Sequence, residues 1–142
     1  MTQHCFTYGS LMWADIMARV CGCEFAGEPA TLADHSRHPV QGEDYPGLRP
    51  APGGLVPGRL YRDVDAATWA RLDAFEGAEY ERVDVVVQLA DGSMLPAQVY
   101  RFRDTFSPRL LPGDWDVAAF EREGRARFMA RYVGFDVLAA TR

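Results

Sequence analysis

The sequence predicts a single domain of the α+β class, in which short strands and amphipathic helices follow one another along the chain. Three observations lead to this prediction. The 142 residues fit one domain, and neither a linker nor an internal repeat divides them. Alternating apolar segments indicate strands, and apolar residues at helical spacing indicate helices. An apolar fraction of 48%, with 8 Phe, 6 Tyr and 3 Trp, can fill a core.

The N-terminal segment predicts a strand, a tight turn and a helix. The strand is expected over residues 3–8, and it ends abruptly at Gly9-Ser10. A new apolar segment over residues 11–20 has helical spacing. A glycine turn between a strand and a helix can direct several backbone N–H groups at one point, which makes an anion-binding nest.

The next segment is predicted to be extended and then irregular. Residues 24–33 read as extended, and His35 and His38 are expected in a polar loop. Residues 42–58 contain four prolines and five glycines, a density that excludes a helix and predicts a surface loop. Tyr45 and its neighbours could form one wall of a small-molecule pocket, although the residues alone favour a plain surface loop.

A helix over residues 65–77 is predicted between two strands, which cover residues 56–61 and 80–89. Asp65 suits its N-cap, and Gly77 suits the position that follows its last turn. Three apolar residues recur along one face that should point to the core: Trp69, Leu72 and Phe75.

The C-terminal third predicts a hairpin and a final helix. Asp91-Gly92 is a strong turn signal between residues 80–89 and a partner strand over residues 95–102. After a loop over residues 104–113, an aspartate should cap a helix over residues 117–133, and residues 114–142 form a C-terminal helical extension of the single domain. Its apolar row is expected to pack on the sheet: Phe120, Gly124, Phe128 and Tyr132. Its arginines are expected on a solvated face: Arg122, Arg125, Arg127 and Arg131.

Composition excludes several classes of function. A net charge of −5 without a basic stripe argues against nucleic-acid binding. All 15 basic residues are arginines, which excludes a Schiff-base lysine and the lysine of a phosphate-binding loop. The N-terminus lacks a secretory pattern, and no apolar stretch approaches the ~20 residues that a membrane span needs. The protein is therefore expected to be cytoplasmic, with no membrane partner.

The three cysteines predict neither a disulfide nor a metal site. Cys21 and Cys23 are too close in sequence for an ordinary disulfide, and Cys5 makes the number odd. Reduced, partly buried thiols are the simplest interpretation. Zinc would need His35 or His38 as a further ligand, and the Cys-x-Cys spacing is not that of a standard zinc module. No metal and no cofactor are predicted.

Two residues are candidates for catalysis. Ser10 follows a strand, but nothing in the sequence marks a histidine and an aspartate as its partners. Glu76 lies in the last turn of a predicted helix, where the helix dipole and the neighbouring Phe75 would both raise its pKa toward the range of a general acid or base. From spacing alone, an exposed last-turn glutamate is the simpler alternative.

Two motifs together resemble those of the gamma-glutamylcyclotransferase-like superfamily. The first is Tyr8-Gly9-Ser10-Leu11, and the second is Leu72-Asp73-x-Phe75-Glu76-Gly77-x-x-Tyr80-x-Arg82. A Pro/Gly-rich middle with Tyr45-Pro46, followed by Gly58-Arg59-Leu60-Tyr61, lies between them. The resemblance extends over residues 5–103 and is greatest to the gamma-glutamylamine cyclotransferases and the plant avirulence-induced proteins.

The resemblance implies a small, mixed, barrel-like sheet with helices packed around it, and an enzyme. The enzyme would cyclise the γ-glutamyl unit of an amine or amide to 5-oxoproline, with Glu76 as the general base and acid and without a metal or cofactor. The substrate would be held by Tyr8, Gly9, Ser10, Leu11, Tyr45 and Tyr80. Arg49 and Arg82 could also pair with a substrate carboxylate, although ordinary surface charges are an equally good interpretation.

Two alternatives to a cyclotransferase remain open at this point. One is a non-catalytic protein on the same fold that binds a small acid or a protein partner. The other is a lyase or hydrolase that cleaves a γ-glutamyl linkage. The residues do not identify the leaving amine or the oligomeric state.

Overall fold

The computed structural model describes residues 3–131, which form a closed five-stranded barrel with helices packed against it. The strands are β1 Gln3–Thr7, β2 Gly27–Pro39, β3 Pro46–Val64, β4 Tyr80–Leu89 and β5 Met94–Phe102. The α-helices are α1 Ala14–Cys21, α2 Ala66–Glu76, α3 Val117–Ala119 and α4 Arg125–Arg131. The predicted α+β class and the barrel-like sheet are both confirmed.

The barrel has the strand order β1-β3-β2-β4-β5 and closes between β5 and β1. The closing pair is parallel, at Cys5 and Gln98, and all other pairs are antiparallel. One core cluster fills the barrel with inward side chains from every strand, among them Phe6, Leu48 and Leu60. Because strand side chains alternate between faces, the residues between them face the helices and form a second cluster.

The segment predicted as a loop over residues 42–58 is instead mostly strand, since β3 begins at Pro46. It pairs with β2 along nearly its whole length, and the prolines lie within this ladder. An irregularity in the register opposite Asp34 accommodates the extra residues of β3. There Asp34 and Gly53 have positive φ angles of 61° and 79°, and the Gly53 N–H donates to the Asp34 carboxylate. The long ladder therefore overrides the local preference of proline for loops.

The predicted loop around His35 and His38 is also wrong, because both histidines lie within β2. His35 is opposite Pro50, and His38 is opposite Gly47. The polar residues of this segment are thus part of a continuous strand, in which Arg37 is buried.

The first predicted helix is confirmed in part. Residues Ser10–Met12 form a 3₁₀ turn, and α1 begins only after Trp13, whose ψ of 120° interrupts the helical backbone. The interruption redirects the chain directly after the Gly9 loop. By contrast, α2 runs from the cap that was predicted at Asp65 to the residue before Gly77, and the Asp65 side chain accepts the Thr68 N–H.

The predicted hairpin is confirmed, with β5 beginning slightly earlier than expected. The predicted loop that follows it contains a 3₁₀ helix at Asp104–Arg109. Asp116 caps α3, and the π-helical residues Phe120–Gly124 connect α3 to α4. The end of the predicted helix, including Tyr132, lies outside the described residues.

The C-terminal helical segment packs on aromatic side chains of the helical side rather than mainly on the sheet. Phe120 lies 4.8 Å from the Trp13 ring, and Phe128 lies 5.9 Å from the Phe75 ring. Three of its arginines are ion-paired across the fold instead of being only solvated: Arg125 with Asp15, Arg127 with Asp44 and Arg131 with Glu43. No helix within residues 3–131 combines the length and the hydropathy that a membrane crossing requires.

Candidate active site

A narrow inner cavity lies at the end of the barrel where β1 ends and β3 and β4 begin. Its volume of about 30 Å³ has room for about two water molecules. The structure brings all seven predicted site residues to its wall: Tyr8, Gly9, Ser10, Leu11, Tyr45, Glu76 and Tyr80. Two distant motifs therefore meet at one cavity.

The loop at residues 8–11 is held through its carbonyl oxygens. All four of them accept hydrogen bonds from the protein: Tyr8 from Arg37, Gly9 from Met12, Ser10 from Trp13 and Leu11 from Tyr61. In contrast, no hydrogen bond among residues 3–131 uses the backbone N–H groups of Gly9, Ser10 or Leu11. The loop thus has unused backbone N–H donors at the cavity wall, as an anion nest requires.

Gly9 is required by close packing rather than by an unusual backbone angle. Its φ is −129°, which any residue can adopt. A Cβ at this position would lie 2.8 Å from the Pro46 ring, which is itself part of the cavity wall. Because Gly9 has no side chain, it lines the cavity with its backbone alone.

Glu76 is the last residue of α2 and contributes a carboxylate to the cavity. Burial of the carboxyl among protein atoms raises the pKa of Glu76 to about 8, and the negative charge of Asp73 contributes in the same direction. Within residues 3–131, no hydrogen bond or ion pair stabilises this carboxylate. Near neutral pH the carboxyl therefore holds its proton, and among residues 3–131 no cation stabilises its ionised form.

The tyrosines of the inner cavity are fixed by their hydroxyl groups. Tyr8 donates to the Tyr100 carbonyl, and Tyr80 donates to the Pro46 carbonyl, both at 2.7 Å. Burial raises the pKa of Tyr8 and of Tyr80 well above the usual value, so both phenols stay protonated. Their rings can shape the cavity, but their hydroxyl groups already donate hydrogen bonds to backbone carbonyls.

Ser10 lacks the partners of a catalytic nucleophile. Among the described residues that line its cavities, none is a histidine. His35 and His38 line a separate groove instead, where the Ser36 hydroxyl lies 2.7 Å from the His38 Nε2. The serine-nucleophile interpretation thus gains no support from the geometry.

The two arginines considered for the substrate carboxylate do not line either cavity of the site. Arg49 is exposed on β3. Arg82 lies over the Trp69 ring, 4.5 Å from its centroid, and forms a salt bridge with Asp73 at 3.5 Å. Both are better explained as structural or surface charges.

A second, outer cavity of about 60 Å³ adjoins the inner one. The two share four lining residues: Ser10, Tyr45, Glu76 and Tyr80. Phe75 of α2 and Phe128 of α4 complete the outer cavity. Glu76 therefore lies at the junction between a polar loop and an aromatic compartment.

Several residues of the site were not predicted from the sequence. Tyr100 lines the inner cavity and donates to Asp73 at 2.6 Å, but it looks like any other residue of an alternating strand. Phe128 belongs to the apolar row of the C-terminal helix, and its spacing gives no sign that it reaches the site. The buried Arg37 donates two hydrogen bonds to the Asp114 carboxylate and one to the Tyr8 carbonyl. A lone arginine in a polar segment gives no sequence signal for such a role.

The described part of the chain contains no group of three His, Cys, Asp or Glu residues that could hold a metal ion. Cys5, Cys21 and Cys23 are free thiols; the first two are buried and the third is exposed. None of the three lines either cavity.

Comparison with known proteins agrees with this fold. A solved gamma-glutamyl cyclotransferase structure superimposes with a TM-score of 0.64 at 17% identity, over 72% of this chain and 68% of that chain. The barrel thus has the fold of the gamma-glutamyl cyclotransferases. Residues 5–117 match the family described as gamma-glutamyl cyclotransferase, AIG2-like, and the chain belongs to this family.

Plant proteins are among the similar family members. AIG2-like protein D of Arabidopsis thaliana is 34% identical over 119 residues, which cover 82% of this chain and 78% of the relative. A solution structure of another Arabidopsis thaliana protein has a TM-score of 0.73 at 25% identity, over 92% of this chain and 79% of that chain.

Proposed function

We propose that this protein is a cyclotransferase that converts a γ-glutamyl amine or amide to 5-oxoproline and the free amine. One observation carries the proposal: the Glu76 carboxyl, with a pKa of about 8 and no protein partner among residues 3–131, adjoins a loop with unused backbone N–H groups. Membership of the gamma-glutamyl cyclotransferase, AIG2-like family gives independent support.

The substrate would enter with its glutamyl end in the inner cavity. The N–H groups of residues 9–11 would bind the α-carboxylate, as backbone nests bind other anions. The fixed rings of Tyr8 and Tyr80 would hold this chain folded, with its α-nitrogen close to its own γ-carbon.

The reaction needs no nucleophile from the protein. Glu76 takes a proton from the α-ammonium group, and the freed nitrogen attacks the γ-carbonyl carbon. The new nitrogen–carbon bond closes a five-membered lactam as the bond to the leaving nitrogen breaks. Glu76 passes its proton to the leaving nitrogen, and a second proton of the attacking nitrogen follows by the same route. The products are 5-oxoproline and an ammonium ion.

The pKa of Glu76 matches this task. The α-ammonium group has a pKa near 8, so a carboxylate with a pKa of about 8 accepts its proton at little cost in free energy. General acid–base help of this kind is worth roughly 10²–10⁴ in rate. Holding the chain in the attacking conformation supplies the entropic part of the acceleration.

The decisive variant is Glu76→Gln, which keeps the shape of the side chain but cannot accept the proton. We expect it to fold like the wild type and to release 5-oxoproline at least about 100-fold more slowly, in line with the loss of general acid–base catalysis. The assay is product release from a panel of γ-glutamyl amines, γ-glutamyl dipeptides and glutathione. Glu123→Gln, an exposed change on the C-terminal helical segment, is the matched control.

Product identity separates this proposal from its alternatives. Release of 5-oxoproline at an equal rate by both variants would remove Glu76 from the mechanism. Free glutamate in place of 5-oxoproline would indicate hydrolysis. Calorimetric binding of γ-glutamyl compounds without any product would indicate a binding protein on the same fold.

A further inference from the structure

The outer cavity gives information about the part of the substrate that leaves. Four of its six lining residues are aromatic: Tyr45, Phe75, Tyr80 and Phe128. None of the six carries a positive charge. The ring of Phe75 packs edge-to-face against Phe128 at 5.9 Å, which joins the end of α2 to α4. The helices α2 and α4 therefore supply three of the six lining residues, and the loop at residues 8–11 contributes only Ser10.

We propose that the outer cavity binds the leaving amine, and that it selects amines with an apolar or aromatic substituent and no carboxylate. This inference rests on the proposed cyclotransferase function. Glu76 lines both cavities, so a γ-glutamyl substrate whose reacting nitrogens lie beside Glu76 has its glutamyl end on one side and its amine substituent on the other.

Charge argues against amino-acid leaving groups. A leaving amino acid carries a carboxylate, whereas the only charged side chain among the described residues that line the outer cavity is Glu76. Arg109 is the cation connected to this wall, because it shares Glu79 with the Tyr45 hydroxyl. Arg109 also lies within 3.5 Å of Glu43, which pairs with Arg131 as well, so Arg109 is already engaged in an ion-pair network and does not line the cavity. A second anion beside Glu76 would be desolvated without a partner.

Apolar contact argues for a ring or a branched alkyl group. Aromatic side chains offer a large contact area and favourable edge-to-face geometry to another ring. The outer cavity, with about 60 Å³, is roomier than the inner one, with about 30 Å³. The larger, mainly aromatic compartment thus suits the substituent of the leaving amine.

Three substrates that differ by one group test the inference. They are γ-glutamyl-ethylamide, γ-glutamyl-phenethylamide and γ-glutamyl-phenylalanine. The second adds a ring to the first, and the third adds a carboxylate to the second. We expect kcat/KM for 5-oxoproline release to be highest for the phenethylamide, by about 10-fold or more over each of the others.

Variants at the aromatic wall should remove this preference. Phe75→Leu is expected to lower the ratio of kcat/KM for the phenethylamide to that for the ethylamide several-fold. Phe106→Leu is the matched control, because Phe106 is also partly buried and packs on the Phe102 ring but lines neither cavity. Binding of the same three compounds to Glu76→Gln, measured by calorimetry, should give the same order without turnover.

The outcomes distinguish the two levels of the proposal. Release of 5-oxoproline from all three substrates with equal kcat/KM would retain the cyclotransferase function and overturn the amine selectivity. A preference for γ-glutamyl-phenylalanine would also overturn it. Absence of 5-oxoproline from every substrate would overturn both the function and the inference.

Discussion

Glu76 is held where its own surroundings disfavour an ionised carboxylate. It ends α2, where the helix dipole presents partial negative charge, and Asp73 lies one turn earlier on the same helix. Burial contributes most to the raised pKa of about 8, and Asp73 adds to it. A group that is difficult to ionise in the empty site becomes a good partner for a bound ammonium ion.

The charge of Asp73 makes this pKa testable by substitution. Below pH 8, protonation of Glu76 should reduce kcat/KM by about tenfold per pH unit. Asp73→Asn removes a negative charge, so the pKa of Glu76 falls and the acid limb of the profile should move to lower pH. The asparagine can still accept the hydrogen bond from the Tyr100 hydroxyl, which preserves the packing. The measurement is kcat/KM for 5-oxoproline release between pH 5 and pH 9.

Asp84→Asn is the control for this profile, because Asp84 is exposed on β4 and bonds to Gln98 outside both cavities. It should leave the acid limb in place. An unmoved limb in Asp73→Asn, or a limb that moves to higher pH, would show that Glu76 does not control the rate.

At the scale of elements, local signals predicted the helix α2 and the β4–β5 hairpin well. Each has its own start and stop residues, such as Asp65, Gly77 and the Asp91-Gly92 turn. The strand β3 could not be predicted in the same way. Its prolines and glycines indicate a loop locally, and only pairing with β2 across the barrel makes the segment extended.

Only the site residues that belong to recognisable motifs could be predicted from the sequence. The loop at residues 8–11 and Glu76 are recognisable as patterns in the chain, and the fold brings them to one cavity. Tyr100 and Phe128 come from elements far away in sequence. Periodicity shows which residues of a strand or helix share a face. It does not show which of them line a cavity, because that depends on the packing of the whole chain.

Arg37 connects three elements beside the site, and its replacement should weaken that junction. From β2 it donates to the Tyr8 carbonyl and makes two hydrogen bonds with Asp114 before α3. Arg37→Lys keeps the charge but cannot form the planar double contact, so we expect a loss of about 1–3 kcal/mol in the free energy of unfolding. This loss is smaller than the ~3–5 kcal/mol of a fully buried pair because Asp114 remains exposed. Urea denaturation measures the change.

Arg62→Lys is the matched control for this junction. Arg62 contacts Glu28 through two nitrogens, but both partners lie at the surface, where ion pairs add little to stability. We expect its urea midpoint to stay near that of the wild type. Equal losses in the two variants would mean that Arg37 acts only as a surface charge.

At the scale of the whole molecule, the barrel positions the inner cavity and the helices complete the outer one. The strand ends carry the glycine loop, Tyr80 and Pro46, whereas α2 and α4 contribute Glu76, Phe75 and Phe128. Ion pairs connect the C-terminal helical segment with the rest of the fold, among them Arg125 with Asp15 and Arg127 with Asp44. The site thus depends on contacts between parts of the chain that are distant in sequence.

The raised pKa of Glu76 also sets how the stability of the whole molecule depends on pH. The folded protein holds this proton up to a pKa of about 8, whereas the unfolded chain releases it near 4.5. Between these values the folded state binds more protons, so the contribution of Glu76 to the free energy of unfolding falls as pH rises. At pH 8 and above, ionisation of Glu76 costs at most about 5 kcal/mol, and less where cavity water reaches the carboxylate. Glu76→Gln removes this cost.

We therefore expect Glu76→Gln to be more stable than the wild type at pH 8, by roughly 1–4 kcal/mol, and nearly equal to it at pH 4.5. Urea denaturation at the two pH values measures the difference, and Glu123→Gln should show no comparable change between them. A variant that loses activity and gains stability at pH 8 would be the expected result of a desolvated catalytic carboxylate. Equal stability of Glu76→Gln and the wild type at pH 8 would mean that water solvates the carboxylate and that its pKa is ordinary.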